Sequence, residues 1–234
     1  MKVIVTGASK GIGKGIATVL AREGYTVGLV ARSPDMLMAV QKTIESAGGR
    51  CVHAVCDLRD PEAAHQAMEH LISRMGGIDA LINNAGLVIR KDVFTLTLDE
   101  WRALVDTNIS GLFYATRTVL PRMKAQNRGH IINISSISGR VPLAGGSAYA
   151  ATKYAVTGFS ESLLLEVRQY GIKVTTVYPG SVDSGPPRPG SAEDHSWKVQ
   201  PAEIGSACLN ILKTSANTLI SALEIRPLQP PGKK

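Results

Sequence analysis

The stretch KVIVTGASKGIG, residues 2–13, decides the fold. Lys2 to Thr6 is a short apolar run with the β-branched content of a buried strand. Gly7, Gly11 and Gly13 punctuate the turn that follows. A helical rhythm through Ile16, Val19 and Leu20 continues to a stop near Gly24. Strand, glycine-rich turn and helix form the layout of a dinucleotide phosphate site. Glycines let the backbone approach a pyrophosphate, and a helix N-terminus offers free N–H groups and a positive dipole end. The spacing is G-x-x-x-G-x-G, which differs from the G-x-G-x-x-G fingerprint. It is not a P-loop either, because Ala8 stands where the first glycine belongs and Gly15 where Ser or Thr belongs.

The rest of the chain alternates in the same way. Strands are predicted over 25–31, 50–56, 78–82, 130–134, 172–178 and 219–225. Helices are predicted over 34–47, 61–75, 99–125 (with Asp99 as its cap), 149–170 and 201–213. Repeated strand–helix alternation predicts parallel strands joined by right-handed crossovers, with helices on both faces of the sheet. No linker or composition break divides residues 1–234. The expectation is therefore one α/β domain: a Rossmann-like, doubly wound, mainly parallel seven-stranded sheet that binds NAD(P). Ligands of such sheets lie at the carboxyl ends of the strands. Gly7, Arg32, Asp57, Asn83, Ser136 and Pro179 all follow a strand.

The end of the second strand bears on cofactor choice. An acidic residue there binds a ribose 2′-hydroxyl, whereas an arginine accommodates a 2′-phosphate. The sequence reads Val30-Ala31-Arg32-Ser33, and Lys10 in the glycine turn is a second cation for the same phosphate. This favours NADP(H) over NAD(H), with a solvated loop arginine as the plainer reading.

Further on, Tyr149 and Lys153 are four residues apart in a helical stretch, so they share a face. An ammonium near a phenol favours the phenolate and makes the group useful in proton transfer. Alone, the pair also fits an amphipathic helix with a snorkelling lysine.

Composition sets outer bounds. The chain has 234 residues, 44% hydrophobic and 19% charged, which is ordinary globular usage. Apolar runs stay shorter than the roughly 18 residues of a membrane span, and the N-terminus lacks signal-peptide features. A cytoplasmic location is the default expectation. Cys51, Cys56 and Cys208 have no metal-ligand spacing and suit a reducing compartment. The formal charge of +7 comes from scattered Lys and Arg, and aromatic residues make up only 5%. A nucleic-acid binder is not indicated.

Taken together and in order, Thr6-Gly7-x-x-x-Gly11-x-Gly13, Asp57-Leu58, Asn83-Asn84-Ala85-Gly86, Asn108, Ser136, Tyr149-x-x-x-Lys153 and Pro179-Gly180 closely resemble the short-chain dehydrogenase/reductase family. The resemblance covers nearly the whole sequence. It implies hydride transfer between NADP(H) and a carbonyl or alcohol. Tyr149 would be the general acid or base, and Lys153 would lower its pKa and bind the nicotinamide ribose. Ser136, in preference to Ser135 or Ser138, would hold the substrate oxygen. Asn108 would position a water behind Lys153. It further implies cofactor contacts from Gly7, Ser9, Lys10, Gly11, Ile12, Gly13, Arg32 and Ser33, and from Asp57 and Leu58 at the adenine. Asn83, Asn84, Ala85 and Gly86 would line the adenosine ribose, and Pro179, Gly180 and Val182 would meet the carboxamide. No metal is implied. Homodimers or homotetramers would pair through helices 99–125 and 149–170.

Residues 181–200 would form a short loop over the substrate, restricted by Pro186, Pro187 and Pro189. Trp197 would cap the substrate or pack the loop, and His195 has no evident partner in the sequence. Ser184 stands where the family has a threonine. The alternatives are an NAD(H)-dependent alcohol dehydrogenase of the same fold and a non-catalytic NADP(H) sensor or scaffold.

Overall fold

A computed structural model of the chain describes residues 1–185 and 195–229. The prolines at 186, 187 and 189, and the tail from Pro230, lie outside the described residues. Seven strands form one sheet: β1 (Lys2–Thr6), β2 (Thr26–Ala31), β3 (Arg50–Val55), β4 (Ala80–Asn83), β5 (Gly129–Ile134), β6 (Ile172–Pro179) and β7 (Ala222–Ile225). Their order is β3-β2-β1-β4-β5-β6-β7, and every pairing is parallel. The order reverses beside β1, where β2 lies on one side and β4 on the other. That switch point opens a crevice at the strand carboxyl ends.

Helices cover both faces because neighbouring strand residues point opposite ways. Val3 and Val5 pack with Ile16, Leu20, Leu37 and Ile204, from α1 (Gly11–Arg22), α2 (Pro34–Ser46) and α7 (Pro201–Leu212). Ile4, between those two valines, packs on the other face with Met68, Leu71, Val119 and Leu163. Those side chains come from α3 (Pro61–Met75), α5 (Gly111–Ala125) and α6 (Ser147–Val167). Helices α1 and α7 approach closely through glycines: a Cβ on Gly15 would lie 2.6 Å from the Pro201 carbonyl carbon, and one on Gly205 would lie 2.9 Å from the Gly15 oxygen. Gly15, conspicuous in the sequence only as a departure from a P-loop, is thus a helix-packing residue.

Several element bounds differ from expectation; β4 covers Ala80–Asn83 and α6 covers Ser147–Val167. The helix predicted from Asp99 begins at Leu98, and Thr97 caps it. Glu100 N donates to Thr97 Oγ1 at 3.2 Å and Thr97 N to Glu100 Oε2 at 2.9 Å, a reciprocal capping box that satisfies two otherwise free donors. That helix is also not one continuous α-helix: α4 (Leu98–Val105) passes through a π-helical turn, Asp106–Ser110, into α5. Lastly, β7 starts at Ala222 rather than at residue 219.

Candidate active site

The glycine turn is built for close approach. Gly7 has φ +66°, and a Cβ on Gly13 would sit 2.2 Å from the Gly7 oxygen. Lys10, the N-cap residue of α1, makes no side-chain capping bond, and no acidic residue occupies the first turn. The N–H groups and dipole at that helix start favour an anion. Thr6, given no role by sequence reasoning, fastens this turn to the Asn84–Gly86 segment. Asn84 N and Ala85 N each donate to Thr6 Oγ1 at 3.0 Å, and Asn84 Nδ2 donates to Thr6 O at 2.9 Å. Its sequence signal was slight: a hydroxyl ending an otherwise apolar strand. Asn83, by contrast, turns away from the crevice. Its Nδ2 donates to Thr116 Oγ1 and to Asn133 Oδ1, both at 2.9 Å, so it ties the sheet to α5 rather than lining a ribose.

At the outer strand ends, Arg32 is exposed. Asp57 is held below the usual carboxylate range chiefly by hydrogen bonding to Arg59, with the Arg32 charge adding to the effect. The Arg59 guanidinium reaches Asp57 Oδ2 at 2.6 Å. Arg32, Asp57 and Arg59 thus share one rim; Leu58 is buried behind them. The sequence reading did not include Arg59.

Tyr149 and Lys153 lie on the buried stripe of α6. Val156, Ser160, Leu163 and Val167 continue that stripe at alternating spacings of three and four residues, the rhythm of one helical face. Lys153 is 6% exposed and so is not a snorkelling surface residue. Its Nζ donates to Ile134 O at 3.0 Å, and burial pulls its pKa down to about 8. The ammonium lies 6.0 Å from the Tyr149 ring centroid. Burial pushes the Tyr149 phenol up, while the Ser136 hydroxyl and the Arg90 charge pull it back. Ser136 and Arg90 therefore both oppose the effect of burial on the phenol.

The three candidate serines separate by their bonds. Ser135 Oγ donates to Lys153 O at 3.0 Å. Ser138 is buried, and its N–H donates to Ser136 Oγ at 3.1 Å. Ser136 is the one whose hydroxyl acts on the phenol.

Asn108 sits inside the π turn. Such turns break the ordinary i→i−4 ladder and often occur at functional sites. Its amide clamps the chain beyond Gly86: Leu87 N donates to Oδ1 at 2.7 Å, and Nδ2 donates to Leu87 O at 2.9 Å and to Thr152 Oγ1 at 3.0 Å. A Cβ on Gly86 would lie 3.4 Å from Asn108 Oδ1 and 3.6 Å from Lys153 Nζ. The Asn84–Gly86 segment therefore touches the glycine turn at one end and Lys153 at the other. It joins the crevice at the strand carboxyl ends to the Tyr149–Lys153 pair.

Beyond β6, Gly180 N donates to Ile225 O at 2.7 Å, and Val182 forms a parallel bridge to Val199. Asp183 N donates to Val199 O at 2.9 Å and Val199 N to Ser181 O at 3.1 Å, which fastens the two ends of the 181–200 stretch together. A Cβ on Gly11 would meet Ser184 O at 2.7 Å, so Ser184 lies against the glycine turn. His195, unpartnered in the sequence reading, has Nδ1 3.3 Å from Asp183 Oδ1. Trp197 is half-buried, with Lys198 Nζ 5.7 Å from its ring.

A parallel doubly wound sheet with a glycine cradle at its switch point and a tyrosine–lysine pair beside it defines a Rossmann-type oxidoreductase. Residues 1–192 match the short chain dehydrogenase family, and the chain belongs to that family. An uncharacterized oxidoreductase of Staphylococcus aureus (strain N315) is 34% identical over 225 residues, 96% of each chain. A metagenomic short-chain oxidoreductase in complex with NADP is 33% identical, with a TM-score of 0.86 over 98% of both chains. The closed form of a serine dehydrogenase complexed with NADP+ is 31% identical, with a TM-score of 0.90 over 100% of this chain and 98% of that one. No described helix is long and apolar enough to cross a membrane.

Proposed function

We propose that the protein reduces a small-molecule carbonyl compound with NADPH, reversibly, with Tyr149 as the proton-transfer group. One observation carries this reading. A buried phenol with a hydroxyl acting on it, and a buried ammonium, are joined by the Asn84–Gly86 segment to an uncapped helix N-terminus with a glycine cradle. NADP(H), when bound, supplies or accepts the hydride. Ser136 holds the substrate oxygen and offsets the charge developing on it. Tyr149 gives its proton to that oxygen, or takes it in the reverse direction. Lys153 provides positive charge behind the phenol and donors for a ribose. Asn108 fixes the Leu87 backbone and the helix turn from which α5 departs, and orders a water on the path that returns a proton to the phenol.

Binding of NADP(H) rests on the fit of the cradle. Gly7, Ser9, Lys10, Gly11, Ile12 and Gly13 surround the pyrophosphate position. Arg32, Ser33 and Lys10 receive the 2′-phosphate, and Asp57 and Leu58 bound the adenine. Pro179, Gly180 and Val182 flank the carboxamide. The absence of an acid at the end of β2 and the exposed Arg32 beside Asp57 support NADP(H) over NAD(H).

Subunits of this protein, which we assign to the cytoplasm, pair through α5 and α6. These helices leave an apolar groove of about 440 Å³ between Phe113, Leu120, Pro121, Phe159 and Leu163.

Two measurements test the reading. NADPH oxidation across a carbonyl panel should fall to background in Tyr149→Phe while cofactor binding persists; retained turnover removes Tyr149 from the acid role. Arg32→Asp should weaken NADPH binding about tenfold or more, the scale of a lost charge-assisted hydrogen bond, while sparing NADH. Equal losses for both cofactors would refute the 2′-phosphate assignment.

A further inference from the structure

Leu87, Ile89, Leu96 and Leu143 pack onto Tyr149, Ala148 and Leu104. Leu87 is also clamped through its backbone by the Asn108 amide. The path of the chain from β4 to α4 is therefore fixed where it passes the phenol. Arg90 emerges next to Ile89 at this rim, exposed, with its charge acting on the Tyr149 hydroxyl.

Among the described residues, charged groups of the neighbouring segments are already matched. Lys91 Nζ lies 2.5 Å from Glu100 Oε1, and Asp92 Oδ1 accepts from Thr95 N and Oγ1, both at 3.0 Å. Arg140, on the turn after Ser136, stacks 4.0 Å from the Tyr178 ring centroid and lies 3.8 Å from Glu224. Among the described residues, Arg90 has no carboxylate within ion-pair distance and no hydrogen-bonded side-chain partner. A guanidinium offers a planar fork of donors that matches a carboxylate bidentately. An apolar wall beside a proton-transfer phenol, ending at an unmatched guanidinium, suits a short molecule with its reacting oxygen at one end and an anion at the other.

We propose that the substrate is an oxo acid, or the corresponding hydroxy acid, and that Arg90 binds its carboxylate. The assignment rests on the reading of Tyr149 as the proton-transfer group. A carboxylate fits better than a phosphate ester: among the described residues Arg90 is the unmatched cation here, and the adjacent lysine is already paired.

Calorimetry on the NADP-saturated protein compares butanoate with butanamide, two probes that differ in charge but hardly in shape. Butanoate should bind at least about tenfold more tightly. Arg90→Gln should remove that preference, and Arg90→Lys should restore part of it. Wild-type protein that binds both probes equally, or Arg90→Gln that keeps the preference, overturns the proposal. In turnover, the kcat/KM ratio of 3-oxobutanoate to its methyl ester should exceed unity in the wild type and collapse in Arg90→Gln. A wild type that reduces the ester and ignores the acid overturns it as well. If Tyr149→Phe keeps full activity, the reading of the phenol fails, and the calorimetric preference still decides the role of Arg90 as a carboxylate site.

Discussion

Acid should destabilise this protein through one buried histidine. His130, in β5, is 5% exposed. Thr175 Oγ1 donates to Ile220 O at 2.6 Å, so its oxygen accepts from His130 Nε2 at 2.8 Å. That bond selects the neutral ring with its hydrogen on Nε2. A second proton would charge a ring that has been removed from water near the Lys173 ammonium. Burial first, and then that cation, pull the His130 pKa from 6.5 down to about 4. Because the native pKa is the lower one, the unfolded chain binds more protons between those values, and stability falls as the pH drops. The contribution is complete above about pH 6.5. That difference in pKa corresponds to about 3 kcal/mol once the pH is well below 4, and to about 2 kcal/mol already at pH 5. Urea unfolding at pH 7.5 and pH 5 measures the change. Carboxylates add their own acid sensitivity, so the decisive quantity is the difference from His130→Gln, which keeps a donor for Thr175 and cannot titrate. The variant should lose about 2 kcal/mol less than the wild type over that interval. Parallel losses in the two proteins would refute the assignment of a buried neutral His130.

Two contrasts between substitutions extend the reasoning. Gly13→Ala pushes a methyl to within 2.2 Å of Gly7 O and 2.5 Å of Asn84 Nδ2, so it should cost about 1–3 kcal/mol and abolish tight NADPH binding. In α6, Gly158→Ala meets nothing within 4 Å and should raise stability by up to about 1 kcal/mol; thermal unfolding of the two variants checks both signs. Thr152→Val removes the acceptor of an Asn108 Nδ2 proton and should cost about 1–3 kcal/mol with a fall in kcat. Thr152→Ser should recover both, and a silent Thr152→Val would show that the clamp on Leu87 does not depend on this bond.

What was legible in the sequence was periodic or punctuated. The seven strands were readable because buried parallel strands are short apolar runs bounded by turns, as at Lys2–Thr6 and Gly129–Ile134. Tyr149 and Lys153 could be placed on one face by spacing alone, but their depth could not. That depth comes from the stripe continuing through Ser160, a polar residue that period-counting passes over. The π turn around Asn108 was invisible because the flanking pattern stays helical on both sides. Only the poor helix propensity of asparagine hinted that something held it there. Thr97 was displaced by Asp99 as the cap because both are good capping types. The reciprocal bond from Glu100, three residues on, was the cue that distinguishes them. Arg90 carried no signal, since nothing in a local pattern reveals that a loop arginine lies beside a phenol 59 positions away and has no acid of its own.

The placement of charges around the phenol separates two jobs that the Tyr149-x-x-x-Lys153 spacing had merged. If Lys153 alone set the acidity of Tyr149, the ammonium would have to face the hydroxyl in the chain by itself. Instead its Nζ donates to the Ile134 carbonyl beside Gly86 and Asn108, on the side where the glycine-bounded crevice begins. Its burial lowers its own pKa to about 8, so the charge is retained at neutral pH but weakly enough to depend on what sits next to it. Two further groups act on the hydroxyl: Ser136 from the end of β5 and Arg90 from the loop after β4. On the proposed reading of Tyr149 as the proton-transfer group, its acidity is open to adjustment by the substrate, through Ser136 and Arg90, and by the cofactor, through Lys153. A group governed by both responds fully only when both are bound, which is the condition under which hydride and proton should move together.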